Sequence, residues 1–374
     1  MRSSLITLSA PFWWPFPCAT TQNVFPHKLN PRVFPTSGFE VLDPALPLEE
    51  ETLPEYVAER YYPVSIGEVF NSRYQVVTKL LGLEQRRPQS RFLALKVHIR
   101  SRRKLPEIEI SKHLKPVNGT HGGERFVRLV LESFEVTGPH GVHTCLLYQL
   151  AGIDFHDYAH CLEGNTLPVA LMRPALGYII IALDYLHQAN VVHTDVQPHN
   201  ILLGIDDESI IYSMEVEEIS DPAPRELRMD GKQAGLIMPS VYRALEVMLG
   251  MEWDTKVDIW AVAQVKNHLF RTRTLDSEDD IAHRFAEMIS LLGPPPPEFL
   301  QQSKDSLKYW DRKGIWKGRA DIPKQTLEER ETRLEWREKD LFLQFVRKAL
   351  HWDPEQRPTA MELLMDEWLR GEDY

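Results

Sequence analysis

The stretch Val191-Val192-His193-Thr194-Asp195-Val196-Gln197-Pro198-His199-Asn200-Ile201-Leu202-Leu203 sets an imidazole, a carboxylate and a carboxamide at fixed offsets between two apolar runs. Side chains of these types accept protons, orient hydroxyls or hold cations. The segment also admits a plainer reading, a strand, a turn and a strand with incidental polar residues. A hydrolase built on His193 and Asp195 is disfavoured, because no nucleophile motif accompanies them. His156 and His160 lie one helical turn apart and could ligate a metal, but no third ligand is evident, so no metal centre is expected from that pair.

Composition narrows the classes. The chain has 374 residues, enough for one to three domains, and a net charge of −11. That charge argues against direct nucleic-acid binding, which needs a basic face, and is compatible with a basic peptide partner. The three cysteines, Cys18, Cys145 and Cys161, form no Cys-x-x-Cys pair, so neither a disulfide framework nor a zinc ribbon is expected. No apolar run approaches the ~18 residues of a membrane span. The longest candidate, Tyr178 to Leu186, is interrupted by Asp184 and reads as a buried helix.

Several elements must position the polar segment. Residues 1–39 contain no Asp or Glu and many Pro and aromatic residues. They read as a disordered tail, with a mitochondrial targeting segment the less favoured alternative. Tyr74 to Leu80 reads as a strand running into a lone Gly82, with no second strand evident after it. Arg91 to Val97 alternates like another strand. The basic run Arg100 to Lys104 reads as a solvated turn, and Pro106 opens a helix carrying Glu107, Ile108, Ile110 and Leu114. Phe126–Phe134 and Val142–Leu150 read as strands joined through Gly138-Pro139-His140-Gly141. Leu171 to His187 reads as a long helix with one buried stripe that leads into the polar segment. Farther on, the prolines 294–297 mark a loop, and Thr326 with Glu329 has capping-box spacing at the start of an expected long charged helix.

With these elements in order, His193-x-Asp195-x-x-x-x-Asn200 resembles the catalytic loop of eukaryotic protein kinases. Ala94-Leu95-Lys96 resembles the kinase third strand, Ala244-Leu245-Glu246 the end of the activation segment, and Asp258-Ile259-Trp260 the central helix. Trp352 to Ala360 resembles the late segment that carries a structural arginine. The resemblance covers about three-quarters of the chain. It implies an α+β, two-lobed fold: an N-terminal extension over 1–50, a shortened small lobe over 51–150 and a helical large lobe over 151–374.

The same resemblance implies roles. Asp195 would meet the substrate hydroxyl and Asn200 would hold Mg2+. Lys96 would orient the ATP phosphates, with Glu107 rather than Glu109 as its partner. Backbone groups of a hinge at Gln149 and Ala151 would bind adenine. His193, Glu246, Asp258 and Arg357 would be structural, with Asp258 tying down the loop and Arg357 paired to Glu246. Thr194 in place of the usual Arg, together with Val241-Tyr242-Arg243, Leu249-Gly250 and Trp253-Asp254, is similar to the SR-protein kinases, especially their fungal members. That implies transfer of the ATP γ-phosphate to serine in basic Arg/Ser-rich proteins such as splicing factors, by a monomer of the cytoplasm and nucleus. Three departures stand out. The Gly-rich loop is missing, no Asp-Phe-Gly occurs, and Gln197 replaces the usual Lys. They leave the alternative of an inactive or truncated kinase relative that serves as a peptide-binding scaffold.

Overall fold

A computed structural model describes residues 7–10, 32–35, 57–78, 81–84, 91–100, 105–115, 121–205, 209–220, 242–265, 269–270 and 277–371, with 37, 39 and 207. Its strands are β1 (Thr7–Ala10), β2 (Val69–Phe70), β3 (Tyr74–Thr78), β4 (Leu81–Glu84), β5 (Arg91–Val97), β6 (Val127–Arg128), β7 (Glu132–Gly138), β8 (Gly141–Gln149) and β9 (Ile201–Leu203). Strands β2 to β5, β8 and β7 form a six-stranded small-lobe sheet in the order β2-β3-β4-β5-β8-β7.

The pleat explains this sheet's two faces. Leu93 and Leu95 point to one side, where they pack with Phe70, Tyr74, Val76, Cys145 and Leu147. Phe92, Ala94 and Lys96 alternate with them and point to the other. The strand not evident in the sequence exists: Leu81–Glu84 pairs antiparallel with Tyr74–Thr78 on one side and with residues 91–94 of β5 on the other. Its single glycine and short length hid the alternation. The hairpin Gly138–Gly141 forms as read, but the expected strand Phe126–Phe134 is broken at 129–131 into β6 and β7.

Helix α1 (Pro106–Leu114) lies beside this sheet. The large lobe contains α2 (Phe155–His160), α3 (Val169–Gln188), α4 (Ser209–Ser220), α5 (Leu245–Met248), α6 (Lys256–Val262), α7 (Glu278–Leu292), α8 (Pro297–Leu300), α9 (Leu327–Arg330), α10 (Trp336–Ala349), α11 (Ala360–Leu364) and α12 (Glu367–Arg370). By length and hydropathy α3 could cross a membrane, but Ile179, Ile180, Leu183 and Leu186 are buried among α6, α10 and α11 residues, which makes it the core helix. The capping box at Thr326 and Glu329 forms, yet the helix it starts is only Leu327–Arg330; a break precedes α10. Thr7–Ala10, in the stretch expected to be disordered, forms a strand antiparallel to β6 and parallel to β9. Farther along the same stretch Phe34 is buried in a cluster with Val77 and Phe92, and Arg32 pairs with Glu215 while its N–H donates to Gln75 Oε1, so that part too is docked on the fold; residues 1–6, 11–31, 36 and 38 and the basic run 101–104 lie outside the described residues.

The large lobe is pinned by an ion pair. Arg357 donates from both terminal nitrogens to Glu246, at 2.7 and 2.9 Å, and both side chains are almost fully buried. The guanidinium also lies over the Trp260 ring, 4.9 Å from its centroid, and donates to the carbonyls of His351 and Lys256. Removing one partner strands a buried charge. Glu246→Ala or Arg357→Ala is therefore expected to destabilise the chain by about 3–5 kcal/mol. The double variant Glu246→Leu/Arg357→Met is expected to cost less than either single one. Urea unfolding midpoints check both expectations.

Candidate active site

The loop before β9 takes a conformation its sequence does not favour. Thr194 has φ +63°, a left-handed value that a β-branched residue rarely adopts. It is held there by Asp258, which is buried in α6. One carboxylate oxygen accepts from the backbone N–H of Thr194 at 2.8 Å. The other accepts from the N–H of His193 at 2.8 Å and lies 3.0 Å from His187 Nε2, at the end of α3. The Asp258 carboxylate therefore joins α3, α6 and the loop at one point. His193 is buried beneath the turn, and its Nδ1 accepts from the Asp195 N–H at 3.2 Å.

Asp195 and Asn200 come together as the sequence suggests. Asn200 Nδ2 donates to the Asp195 carbonyl at 2.8 Å and to its Oδ2 at 2.7 Å. Gln197, passed over in the sequence as a departure, has a positioning part: its Nε2 donates to Asp195 Oδ1 at 2.7 Å. Two carboxamides thus fix the rotamer of one carboxylate. The signal in the sequence is an amide donor on a flexible side chain two residues from a carboxylate acceptor. Across the cleft, Lys96 Nζ lies 2.5 Å from Glu107 Oε1. Glu109 instead pairs with Lys112 on the exposed side of α1, two positions round the helix.

The expected base-binding end is different. Gln149 closes β8 opposite Leu93, and its carbonyl accepts from Arg128 Nε at 3.0 Å. Gln149 and Ala151 line a pocket of about 650 Å³ with Val127, Arg128, Gly204 and Ile205, and neither Lys96 nor Asp195 reaches it. The space on the Lys96-bearing face of the sheet is filled by α4, a helix formed where the sequence suggested only an irregular acidic stretch. Its Ile211 is buried with Val77 and Phe92, against Leu150 of the hinge and Ile205. Tyr212 meets the Phe92 ring edge-on at 4.8 Å, and Glu215 takes an ion pair from Arg32 at 2.6 Å. Nothing in the local sequence marks Ile211 as a cleft residue.

These residues decide what Mg-ATP would find. Lys96 is placed to meet phosphate, and Asn200 retains its Oδ1 for a cation. The carboxylate ligand that Asp-Phe-Gly would supply has no counterpart in the sequence, and Ile211 packs in one apolar cluster with Phe34, Val77, Phe92 and Leu150 of the hinge, on the face where a base would lie. In this arrangement the site does not fit the nucleotide.

His98, next to the Lys96–Glu107 pair, is held neutral. Burial, reinforced by the Lys96 charge and opposed by Glu107, lowers its pKa from 6.5 to about 4. Below pH 6.5 the unfolded chain takes up a proton that the folded chain refuses, so this stabilisation is complete above that pH and is lost as pH falls toward 4. His98→Gln is expected to flatten the acid-side fall in stability by roughly 2–3 kcal/mol, read from melting temperatures across that window. Asp258→Asn, which replaces one of the two acceptor oxygens by an amide donor, is expected to lower the melting temperature and to raise amide exchange at His193 and Thr194.

The comparisons agree with this geometry. A family model described as the protein kinase domain matches residues 141–369. A serine/threonine protein kinase of Aspergillus fumigatus is 38% identical over 385 residues, covering 91% of this chain and 95% of that protein. A serine/threonine-protein kinase SRPK of Physarum polycephalum is 27% identical over 391 residues, 84% and 90% of the two chains. Human dual specificity tyrosine-phosphorylation-regulated kinase 3 is 28% identical over 325 residues, 82% of this chain and 52% of that one. The small β-rich lobe, the helical lobe and the loop between α3 and β9 that Asp258 holds are those of one family, and the chain belongs to the protein kinases.

Proposed function

We propose that the chain is a serine-directed kinase of the SR-protein type, in a conformation closed to nucleotide, whose open peptide side engages basic Arg/Ser-rich protein segments. The observation that carries this reading is the contrast within one cleft. The Asp195–Asn200–Gln197 network is complete, while Ile211 of α4 fills the opposite, hinge-side end. Asp195 is oriented to take the hydrogen of a serine hydroxyl. The chain's net charge of −11 favours arginine-rich sequence. The likeness to a kinase named SRPK supports the substrate class. The reading carries with it a monomer of the cytoplasm and nucleus, where such substrates occur.

Mg-ATP supplies the phosphoryl group and the cation that neutralises its charge. The chain admits it only when α4 leaves the Lys96 face. Even then, the missing carboxylate ligand is expected to cost orders of magnitude in rate.

A second reading is favoured by the same helix. If α4 is a permanent filling, the chain is a non-catalytic receptor for Arg/Ser-rich segments. Three measurements on the full-length chain separate the readings: binding of an Arg/Ser peptide, the melting-temperature shift with Mg-ATP, and transfer of labelled phosphate. The closed-kinase reading expects peptide binding without a nucleotide shift in the unaltered chain. It expects a shift and measurable transfer in Ile211→Ala/Tyr212→Ala, abolished by adding Asp195→Asn. A double variant that stays folded and still ignores Mg-ATP leaves the receptor reading standing, and absence of peptide binding defeats both.

A further inference from the structure

His156, which the sequence paired with His160, has two other potential ligands beside it in the fold. Asp154, His156 and His199 each offer one ligating atom, and these atoms lie within 4.8 Å of one another. Asp154 and His156 stand at the start of α2, and His199 lies in the catalytic loop immediately before Asn200. The rings of His156 and His199 have centroids 4.0 Å apart, and those of His156 and His160 4.3 Å. We propose that Asp154, His156 and His199 form a Zn2+-class divalent metal site that clamps α2 to the catalytic loop.

The donor chemistry and the tautomers fit. Two imidazoles and a carboxylate suit zinc and similar borderline ions, whereas Mg2+ prefers an all-oxygen shell. His156 Nδ1 lies 3.2 Å from the Asp157 carboxylate, which fixes the proton on that nitrogen and turns Nε2 into the ligating atom. His160 Nδ1 lies 2.8 Å from the His156 carbonyl, so its proton is also on Nδ1. His160 Nε2 is the natural fourth donor, one turn along the same helix. Asp154 caps α2 with Oδ1, accepting from the Asp157 N–H at 2.8 Å, and turns Oδ2 toward His199 Nδ1 at 3.2 Å. One oxygen thus orients the carboxylate while the other serves the site.

The platform beneath is rigid. Gly152 N–H donates to the Leu203 carbonyl at 2.8 Å, and Leu203 N–H donates to that of Ile153 at 3.0 Å. Tetrahedral zinc holds its donors about 3.4 Å apart, so the trio has to close by about 1 Å, a change that rotation of the half-exposed rings supplies.

The test is titration of the full-length chain, purified with chelator and then dialysed, using Zn2+ by calorimetry and Co2+ by its visible d–d bands. One ion per chain is expected, with the intense spectrum of four-coordinate Co2+. His156→Ala and His199→Ala are each expected to weaken binding by at least about tenfold, while His283→Ala, on the exposed side of α7, leaves it unchanged. Circular dichroism and melting curves show that the variants are folded. Binding that survives His199→Ala, or no saturable binding by the unaltered chain, overturns the assignment. Neither readout requires ATP or a peptide, so failure here is separable from failure of the kinase reading.

Discussion

A single buried carboxylate sets the geometry of the catalytic loop. Asp258 accepts two backbone N–H groups from consecutive residues, His193 and Thr194, and a third contact from His187. An ionised carboxylate in that position would be costly without partners, and its three contacts offset that cost. The same bonds hold Thr194 at φ +63°. A β-branched residue pays about 1–3 kcal/mol for such backbone and persists only where its surroundings over-determine it. The strained turn sets the direction of the following residues, so the placement of Asp195 is inherited from a group three helices away in sequence.

That group is itself fixed from behind. Trp260 lies two residues beyond Asp258 in α6 and carries the Arg357 guanidinium on its face. Arg357 in turn holds Glu246 in the first turn of α5. The chain from Glu246 through Arg357 and Trp260 to Asp258 and the loop is a continuous series of buried contacts. Each link is polar or aromatic with little rotational freedom. That explains why the large lobe keeps the kinase loop geometry although the activation segment between Leu203 and Tyr242 departs from the family pattern.

The sequence made this half of the molecule legible because its constraints are local in kind. A buried Asp, an Arg–Glu pair and an Asp-x-x-x-x-Asn loop each demand a particular residue type, and each stands at its place: Asp258, Arg357 with Glu246, Asp195 with Asn200. Lys96 and Glu107 were legible for the same reason. What could not be read are contacts that ask only for shape. Ile211 fills a hole that any large aliphatic side chain could fill, so its position carries no mark. β4 escaped because four residues with a central glycine show too little alternation. The third member of the histidine cluster escaped because His199 is 43 residues from His156, and only the docking of α2 on the loop brings them together.

The unreadable contacts share a cause. The Gly-rich and Asp-Phe-Gly patterns do not occur in this sequence, and an apolar sheet face and an open strand edge are unfavourable in water. This chain covers each with its own sequence. Thr7–Ala10 adds to the edge of β9, parallel where a hairpin return would be antiparallel. Helix α4 lays Ile211 and Tyr212 against Val77 and Phe92. The covering of the cleft therefore follows from burial alone and needs no selected inhibitor. A nucleotide entering on that face would have to displace an apolar contact already made.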